Sequence, residues 1–219
     1  MTEGGGVSVV AFTRRFRVKI VSAVWLCSWA AFGQYKAEPA GAPPAEVAAS
    51  IAQALEKTGF QITNNGDPYC EIWLRSRLPA GTNSSAQNVT LPGIPIGAVL
   101  GLIRFDGNGS DRRGQTIQPG LYTLRYANLP ADSDHQGAAP QRDFLLLIPA
   151  GDDRDPDSTP KFDTLVALSR KASGTPHPAV LSAWKADGDA TVFSQQGDDW
   201  VLQTKLGGTP IAVILIGSS

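Results

Sequence analysis

The stretch Leu121-Tyr-Thr-Leu-Arg-Tyr126 decides the fold class, because apolar and polar side chains alternate along it. Every second residue from Tyr122 onward is apolar, and the residues between them are Thr123 and Arg125. Successive side chains of a strand point to opposite faces of the sheet. The pattern therefore predicts a strand that turns one face to the core and the other to a polar environment.

Seven more runs have the length and apolar content of strands, and glycine and proline cluster between them. Two of these runs are apolar throughout, as central strands buried on both faces are. The runs are Cys70–Arg77, Ala98–Phe105, Phe144–Ile148, Ala179–Lys185, Ala190–Ser194, Trp200–Lys205 and Ile211–Ile216. Short strands separated by turns predict a mostly β protein: an antiparallel β-sandwich or distorted barrel of about eight strands, with two short helices.

Two segments have helical spacing instead. Val47, Ile51 and Leu55 recur every four residues after a Pro-Pro pair, which predicts a short helix lying on a sheet and ending near Gly59. The second predicted helix spans Pro160–Ala172, with Pro160 in its first turn and Gly174 after its end.

The composition fits one folded domain. The chain has 219 residues, of which 42% are hydrophobic and 18% charged, with a formal net charge of −1. This is apolar enough to bury a core, which excludes a disordered chain. The near-neutral charge argues against a nucleic-acid surface or a polybasic membrane patch.

The amino terminus has the order of a secretory signal. A basic region of three arginines and Lys19 precedes an apolar stretch over 20–32, and Ala31 and Gly33 sit at −3 and −1 to a cleavage point before Gln34. We therefore predict a signal peptide over 1–33, with a possible N-terminal extension, and a secreted or periplasmic location. A retained anchor helix is the alternative. A tether over 34–44 and a single β-rich domain over 45–219 complete the predicted organisation.

Cys70 is the one cysteine outside the predicted signal peptide. A lone thiol forms no internal disulfide, so the core must hold the domain without a covalent link. Because Cys70 begins a strand-like run, we predict that it is buried and unreactive.

The run Gly114-Gln-Thr-Ile-Gln-Pro-Gly-Leu-Tyr-Thr-Leu124 places a Pro-Gly turn directly before the alternating strand. It resembles the P-G-x-Y-x-L hairpin of exported bacterial β-sandwich proteins, including uncharacterised families. The resemblance covers about a dozen residues. It implies the sandwich architecture and export, and it implies no activity.

Few residues are suited to catalysis. The only histidines are His135 and His177, each in a polar loop, and with Asp143 they would form an acid/base pair or a metal site if folding brought them together. The spacing of the two histidines matches no metal motif, so we predict neither a metal nor a cofactor. The run 151–157 contains four aspartates, which we interpret as a solvated loop before a helix, with calcium binding as the alternative.

The favoured interpretation is a non-catalytic binding or structural module of the cell envelope or beyond. Arg142, His135 and Trp184 are its predicted contact residues, joined by Tyr69 and Trp73 if these are exposed. The predicted partner is an envelope protein, a glycan or a small-molecule ligand, with no nucleic acid and no stable membrane span after signal cleavage. The alternative is a metal-dependent or acid/base hydrolase that uses the two histidines.

Overall fold

The computed structural model describes residues 1–2, 35–79, 81, 86–129 and 142–217. The predicted signal peptide beyond residue 2 and the predicted contact residue His135 lie outside the described residues. From Tyr35 onward, the described residues form one compact unit. Within these ranges, no helix has the length and apolarity needed to cross a bilayer.

Ten antiparallel strands form a nearly closed, barrel-like sheet in the order β1-β2-β3-β4-β7-β8-β9-β12-β11-β10, and two short strands form a separate hairpin, β5-β6. The prediction of a mostly antiparallel β fold with two short helices is confirmed. The strands are β1 Tyr35–Ala40, β2 Gly59–Asn64, β3 Asp67–Leu74, β4 Val99–Phe105, β5 Gly109–Ser110, β6 Thr116–Ile117, β7 Gly120–Asn128, β8 Asp143–Pro149, β9 Val180–Lys185, β10 Val192–Gln196, β11 Asp199–Leu206 and β12 Thr209–Ile216.

The strand order departs from the chain order at one place. β9 pairs with β12, the last described strand, so β11 and β10 follow outward from it. The two edges of the large sheet are therefore β1 and β10. Because ten antiparallel strands alternate in direction, these two edges run antiparallel to each other.

The predicted tether is wrong for Tyr35–Ala40, because these residues form β1 and pair with β2 along their whole length. Small residues and Pro39 are typical of a linker. The alternation is nevertheless that of a strand, since Tyr35 and Ala37 pack against the barrel interior while Lys36 and Glu38 are exposed. Proline is tolerated here because an edge strand has a side that needs no donor.

The barrel interior is filled with side chains. Tyr122, Leu124 and Tyr126 of β7 all belong to this interior cluster, which confirms the predicted core face of that strand. Leu124 has no exposed surface, and neither have Ile62 of β2 and Val213 of β12. Strands from all round the sheet thus contribute to one continuous core.

Helix α1, Ala49–Ala54, lies on the outer face of β3 and β4. Its predicted apolar stripe is confirmed, because Val47, Ile51 and Leu55 cluster with the buried Trp73. The helix ends well before Gly59, which instead opens β2, so the predicted C-terminal boundary is wrong.

Helix α2, Phe162–Ser173, covers the outer face of β7 and β8. Its Phe162 meets Phe144 of β8 edge to face, with ring centroids 6.4 Å apart. Gly174 ends the helix with a φ of 68°, a left-handed conformation that glycine adopts without strain, as predicted. The helix begins after Lys161 rather than at Pro160.

Candidate functional site

The two sheet edges face each other across a cleft of about 610 Å³. β1 and the start of β2 form one wall, while Thr191, Phe193 and Leu202 form the other. We call this space the seam cleft. Among the described strands, β1 pairs only with β2 and β10 only with β11, so the backbone groups on their cleft sides have no sheet partner.

Aromatic rings close the barrel beneath the seam. Tyr35 of β1 meets Trp200 of β11 at a centroid distance of 5.4 Å, and Trp200 meets Phe193 of β10 at 5.3 Å. Tyr35 also contacts Tyr69 of β3 edge to face at 5.6 Å. Side-chain contacts thus join the two edges where the sheet has no backbone ladder.

The position of Pro39 shows which way the β1 backbone points. Pro39 pairs with Phe60 of β2 yet has no N–H to donate. In an antiparallel ladder, alternate residues turn both backbone groups away from the neighbouring strand. Proline fits only that second kind of position, so Tyr35, Ala37 and Pro39 turn their backbone polar groups toward the seam cleft.

The two walls differ in charge. Lys36 and Glu38 lie along the β1 wall, both exposed, whereas β10 reads Val192-Phe-Ser-Gln-Gln196 and carries no charge. Among the described ion pairs, none involves Lys36 or Glu38. Charged residues and proline on an edge strand oppose indiscriminate pairing, so β1 has this protection and β10 lacks it.

Asp143, a predicted catalytic candidate, is fully buried at the start of β8. Its carboxylate accepts hydrogen bonds from the backbone N–H of Thr90 at 2.8 Å and of Leu91 at 3.1 Å, and from the hydroxyls of Thr90 and Tyr126. Burial, and then the hydrogen bond to Asp143, raise the pKa of Tyr126. The carboxylate therefore fastens the 90–91 loop to β7 and β8.

The structure does not bring Asp143 and His177 together. His177 is exposed in the turn after α2, and its backbone carbonyl accepts hydrogen bonds from Ser173 and Thr175. Phe144, next to Asp143, pairs with Ser182, five residues beyond His177. Leu146 pairs with Val180, and the Leu147 N–H donates to the Ala179 carbonyl, so His177 precedes β9 on the side away from Asp143.

The predicted contact residue Arg142 has a structural task. Its guanidinium donates to the Leu129 carbonyl at 2.9 and 2.7 Å and to the Gln87 carbonyl at 2.7 Å, which ties two loop segments together. Trp184 is half-buried on the outer face of β9, against Val201, Ala212 and Ile214. Neither residue lines the seam cleft, and their binding roles stay predictions.

Tyr69 and Trp73, predicted as further contact residues if exposed, are not exposed. Trp73 is buried and donates its indole N–H to the Gly41 carbonyl at 2.8 Å. Tyr69 is half-buried, and its ring packs against Tyr35 and Phe105. Both rings therefore serve the packing of the barrel.

Three aspartates of the acidic run, Asp152, Asp155 and Asp157, are exposed, as a solvated loop predicts, and one is buried. Asp153 is buried and receives two hydrogen bonds from the Arg125 guanidinium, at 2.7 and 2.6 Å, and Asp157 pairs with Arg75. The interpretation as a solvated loop is thus wrong for Asp153, since Arg125 lies on the outer side of β7 directly beneath it. In the described ranges, no three His, Cys, Asp or Glu side chains are grouped so that they could hold a metal ion.

Cys70 is buried in the barrel interior, which confirms its predicted position. Burial is the main cause that raises the pKa of its thiol, and the nearby carboxylates of Glu71 and Asp106 raise it further. A thiol with a raised pKa is a poor nucleophile, because the thiolate is the reactive form.

The seam cleft is the candidate site that sequence reasoning misses. Its two walls are about 150 residues apart in the chain, so no local pattern unites them. The local signals are the alternation of Tyr35 and Ala37 with Lys36 and Glu38, and an uncharged strand at Val192–Gln196.

No family model, curated protein or solved structure matches this chain. Its function therefore has to be inferred from the seam cleft itself.

Proposed function

We propose that this protein is an exported, non-catalytic binding module that takes its ligand in the seam cleft. The observation that carries the proposal is the pair of unpaired sheet edges, β1 and β10, facing each other over aromatic rings across about 610 Å³. That volume lies in the range of ligand sites, which are mostly apolar with a few polar groups that orient the ligand.

The buried carboxylates support a binding role over a catalytic one. Asp143, Asp153 and Asp111 all accept hydrogen bonds from neighbouring backbone or side-chain donors, so their oxygens hold loops in place. Among the described residues that line the seam cleft there is no histidine, cysteine or serine, and the charged ones are Lys36 and Glu38 on the rim.

Export is supported by the basic region, the apolar stretch and the small residues before Gln34. Sequencing the amino terminus of protein recovered from the periplasm or medium tests it. We expect a chain that begins at Gln34, one residue before β1. A full-length chain retained in the cytosol would contradict this part of the proposal.

A fluorescent dye with an apolar ring system tests the binding site. We expect 8-anilinonaphthalene-1-sulfonate to bind the purified full-length protein and Phe193→Ala to weaken that binding about tenfold, because a ring contact is worth about 1 kcal/mol beyond the apolar area it buries. Phe162→Ala is the matched control, since Phe162 is also half-buried but packs from α2 onto Phe144 of β8 and does not line the cleft.

Both variants must keep the circular dichroism spectrum of the native protein for the comparison to count. Equal loss of binding in the two variants would place the dye elsewhere, and no binding by the native protein would remove the support for a ligand site in the cleft. Either result would contradict the proposal.

A further inference from the structure

We infer that the ligand of the seam cleft is an extended polypeptide segment that adds a strand to β1, with a basic, a large apolar and an acidic residue in succession. The inference rests on the proposed binding function, and it names the class of partner. Four features of the cleft support it: its backbone, its floor, its rim charges and its shape.

The backbone of β1 presents a strand-shaped set of hydrogen-bonding groups. Tyr35, Ala37 and Pro39 turn their polar groups to the cleft, so Tyr35 and Ala37 offer both a donor and an acceptor, while Pro39 offers its carbonyl alone. A second polypeptide strand is the ligand whose own donors and acceptors repeat at this spacing. Ala37 lies at the centre of the set.

The floor of the cleft is apolar at the same place. Ala37 is small and faces the barrel interior, and Phe60, Phe193 and Leu202 line the cleft around it. In an added strand, the residue opposite Ala37 points its side chain to that same interior face. A large apolar side chain therefore fills the space that the alanine leaves.

The two charged side chains on the rim determine which charges the added strand carries and in which direction it runs. Lys36 and Glu38 flank Ala37 and point outward, so the two neighbours of the apolar residue point outward beside them. Opposite charges attract across a strand pair, which places an acidic residue opposite Lys36 and a basic residue opposite Glu38. In a strand antiparallel to β1, the order from the amino end is basic, apolar, acidic.

The shape of the cleft favours a segment over a folded domain. β10 lies across from β1, so an approaching edge strand has to enter between the two walls. One extended chain occupies about 4.8 Å in the plane of a sheet, whereas the edge of a second folded copy brings its neighbouring strands toward β10 as well. The segment thus comes from a flexible tail or loop of its protein.

A pair of peptides tests the inference. The probe is a fluorescein-labelled heptapeptide with Lys-Leu-Glu at its centre and serine and threonine elsewhere, and its control has the identical composition with Glu-Leu-Lys at the centre. By fluorescence anisotropy with the full-length protein, we expect the Lys-Leu-Glu peptide to bind about tenfold more tightly, because only this order pairs both charges in antiparallel register.

Exchanging the rim charges reverses the preference. The double variant Lys36→Glu with Glu38→Lys leaves the cleft shape intact, and we expect it to prefer the Glu-Leu-Lys peptide. The matched control exchanges two opposite charges outside the cleft, those of the exposed ion pair of Lys171 and Asp152, by Lys171→Glu with Asp152→Lys. This control keeps the original preference.

Backbone methylation separates strand pairing from apolar contact. The N–H of the central leucine faces Ala37, whereas that of the following glutamate faces away from β1. We expect N-methylation of the leucine to weaken binding at least about tenfold and N-methylation of the glutamate to change it less than about twofold.

The outcomes distinguish this inference from the proposed function. If both peptides bind equally or neither binds, while binding of the dye still depends on Phe193, the polypeptide inference is overturned and the proposed binding site stands. If neither the dye nor a peptide binds, both the polypeptide inference and the proposed function are contradicted. Concentration-dependent dimers in sedimentation that the Lys36 and Glu38 exchange disrupts would make a second copy the occupant, and would overturn the inference.

Discussion

β7 in the middle of the sheet and β1 at its edge are held by different kinds of contact. The Arg125 side chain of β7 is 1% exposed, and besides Asp153 it donates to the carbonyls of Ser158 at 2.7 Å and Asp155 at 2.8 Å, as well as to Gly97. On the cleft side, by contrast, β1 is joined to β10 and β11 through the rings of Tyr35, Trp200 and Phe193.

The difference matters because hydrogen bonds between buried charges are directional and aromatic contacts are less so. Moving Arg125 would leave charged groups buried without partners, which is costly. Rings can slide or tilt while keeping most of their contact. The contacts on the β7–β8 side therefore oppose opening, whereas the ring contacts at the seam allow small rearrangements.

The largest expected effect comes from breaking the β7 side. Arg125→Met leaves Asp153 buried without its charged partner, and we expect the free energy of unfolding to fall by about 3–5 kcal/mol in urea denaturation. Lys171→Met, which removes the exposed partner of Asp152 in the same loop, is expected to cost less than about 1 kcal/mol. Equal losses of stability in the two variants would contradict the expected difference between the buried and the exposed ion pair.

Alkaline pH tests the buried tyrosines of the barrel. Burial raises the pKa of Tyr69 and Tyr126 above the usual value of 10.0, so the folded state keeps protons that the unfolded state loses. Their contribution to stability is complete below about pH 10 and falls as the pH rises through the raised pKa values. Each such group lowers the free energy of unfolding by at most about 1.4 kcal/mol for each pH unit.

Urea titrations between about pH 8 and 12 measure this slope, and tyrosinate absorbance gives the titration itself. Tyr126→Phe is expected to flatten the slope while lowering stability at neutral pH, because Asp143 loses one of its donors. A slope that is the same in the variant and the native protein would contradict the assignment.

The seam is tested by Tyr35→Ala, which removes two ring contacts. Each is worth about 0.5–1.5 kcal/mol, so we expect a loss of about 1–3 kcal/mol, concentrated at the edge. In native-state hydrogen exchange, the amides of β1 and β10 should exchange faster in the variant while those of β7 and β8 follow global unfolding. Phe162→Ala, which removes a ring contact between α2 and β8, should leave the exchange rates of β1 and β10 unchanged.

The smallest effect on stability is expected from a thiol reporter in the seam. Ala37→Cys should change stability by less than about 1 kcal/mol, since the cleft beside this residue is open. With a maleimide reagent and peptide mapping by mass spectrometry, we expect the introduced thiol to react and Cys70, whose pKa burial raises, to stay unmodified. If Cys70 were labelled as fast as the introduced thiol, the barrel interior would be as accessible as the seam, which would contradict the comparison.

Much of the sheet can be predicted from the sequence, because most strands carry their pattern of apolar residues within a few consecutive positions. All eight predicted strands exist, from the alternation of β7 to the apolar run of β12. Four strands escape prediction: the two-residue strands β5 and β6 are too short to show a pattern, and β1 and β2 are missed because Pro39 indicates a linker and polar residues interrupt Gly59–Asn64. A six-residue strand with those residues is recognisable only through its partner.

The candidate site cannot be predicted in the same way, because it depends on contacts between distant residues. Arg125 and Asp153 are 28 residues apart, and each alone indicates a solvated charge. The seam cleft depends further on β9 pairing with β12 rather than with β10, which no local signal specifies. Pairings of this kind are set by how the whole sheet buries its apolar faces.

The place of β12 has a consequence for how the protein is made. Until Thr209–Ile216 has left the ribosome, β9 is a bare edge and the β10–β11 hairpin has no strand to join it to the rest of the sheet. Completion of the sheet during synthesis therefore waits for β12. A nascent chain stalled just before this strand would expose an uncovered, aggregation-prone ladder to its neighbours.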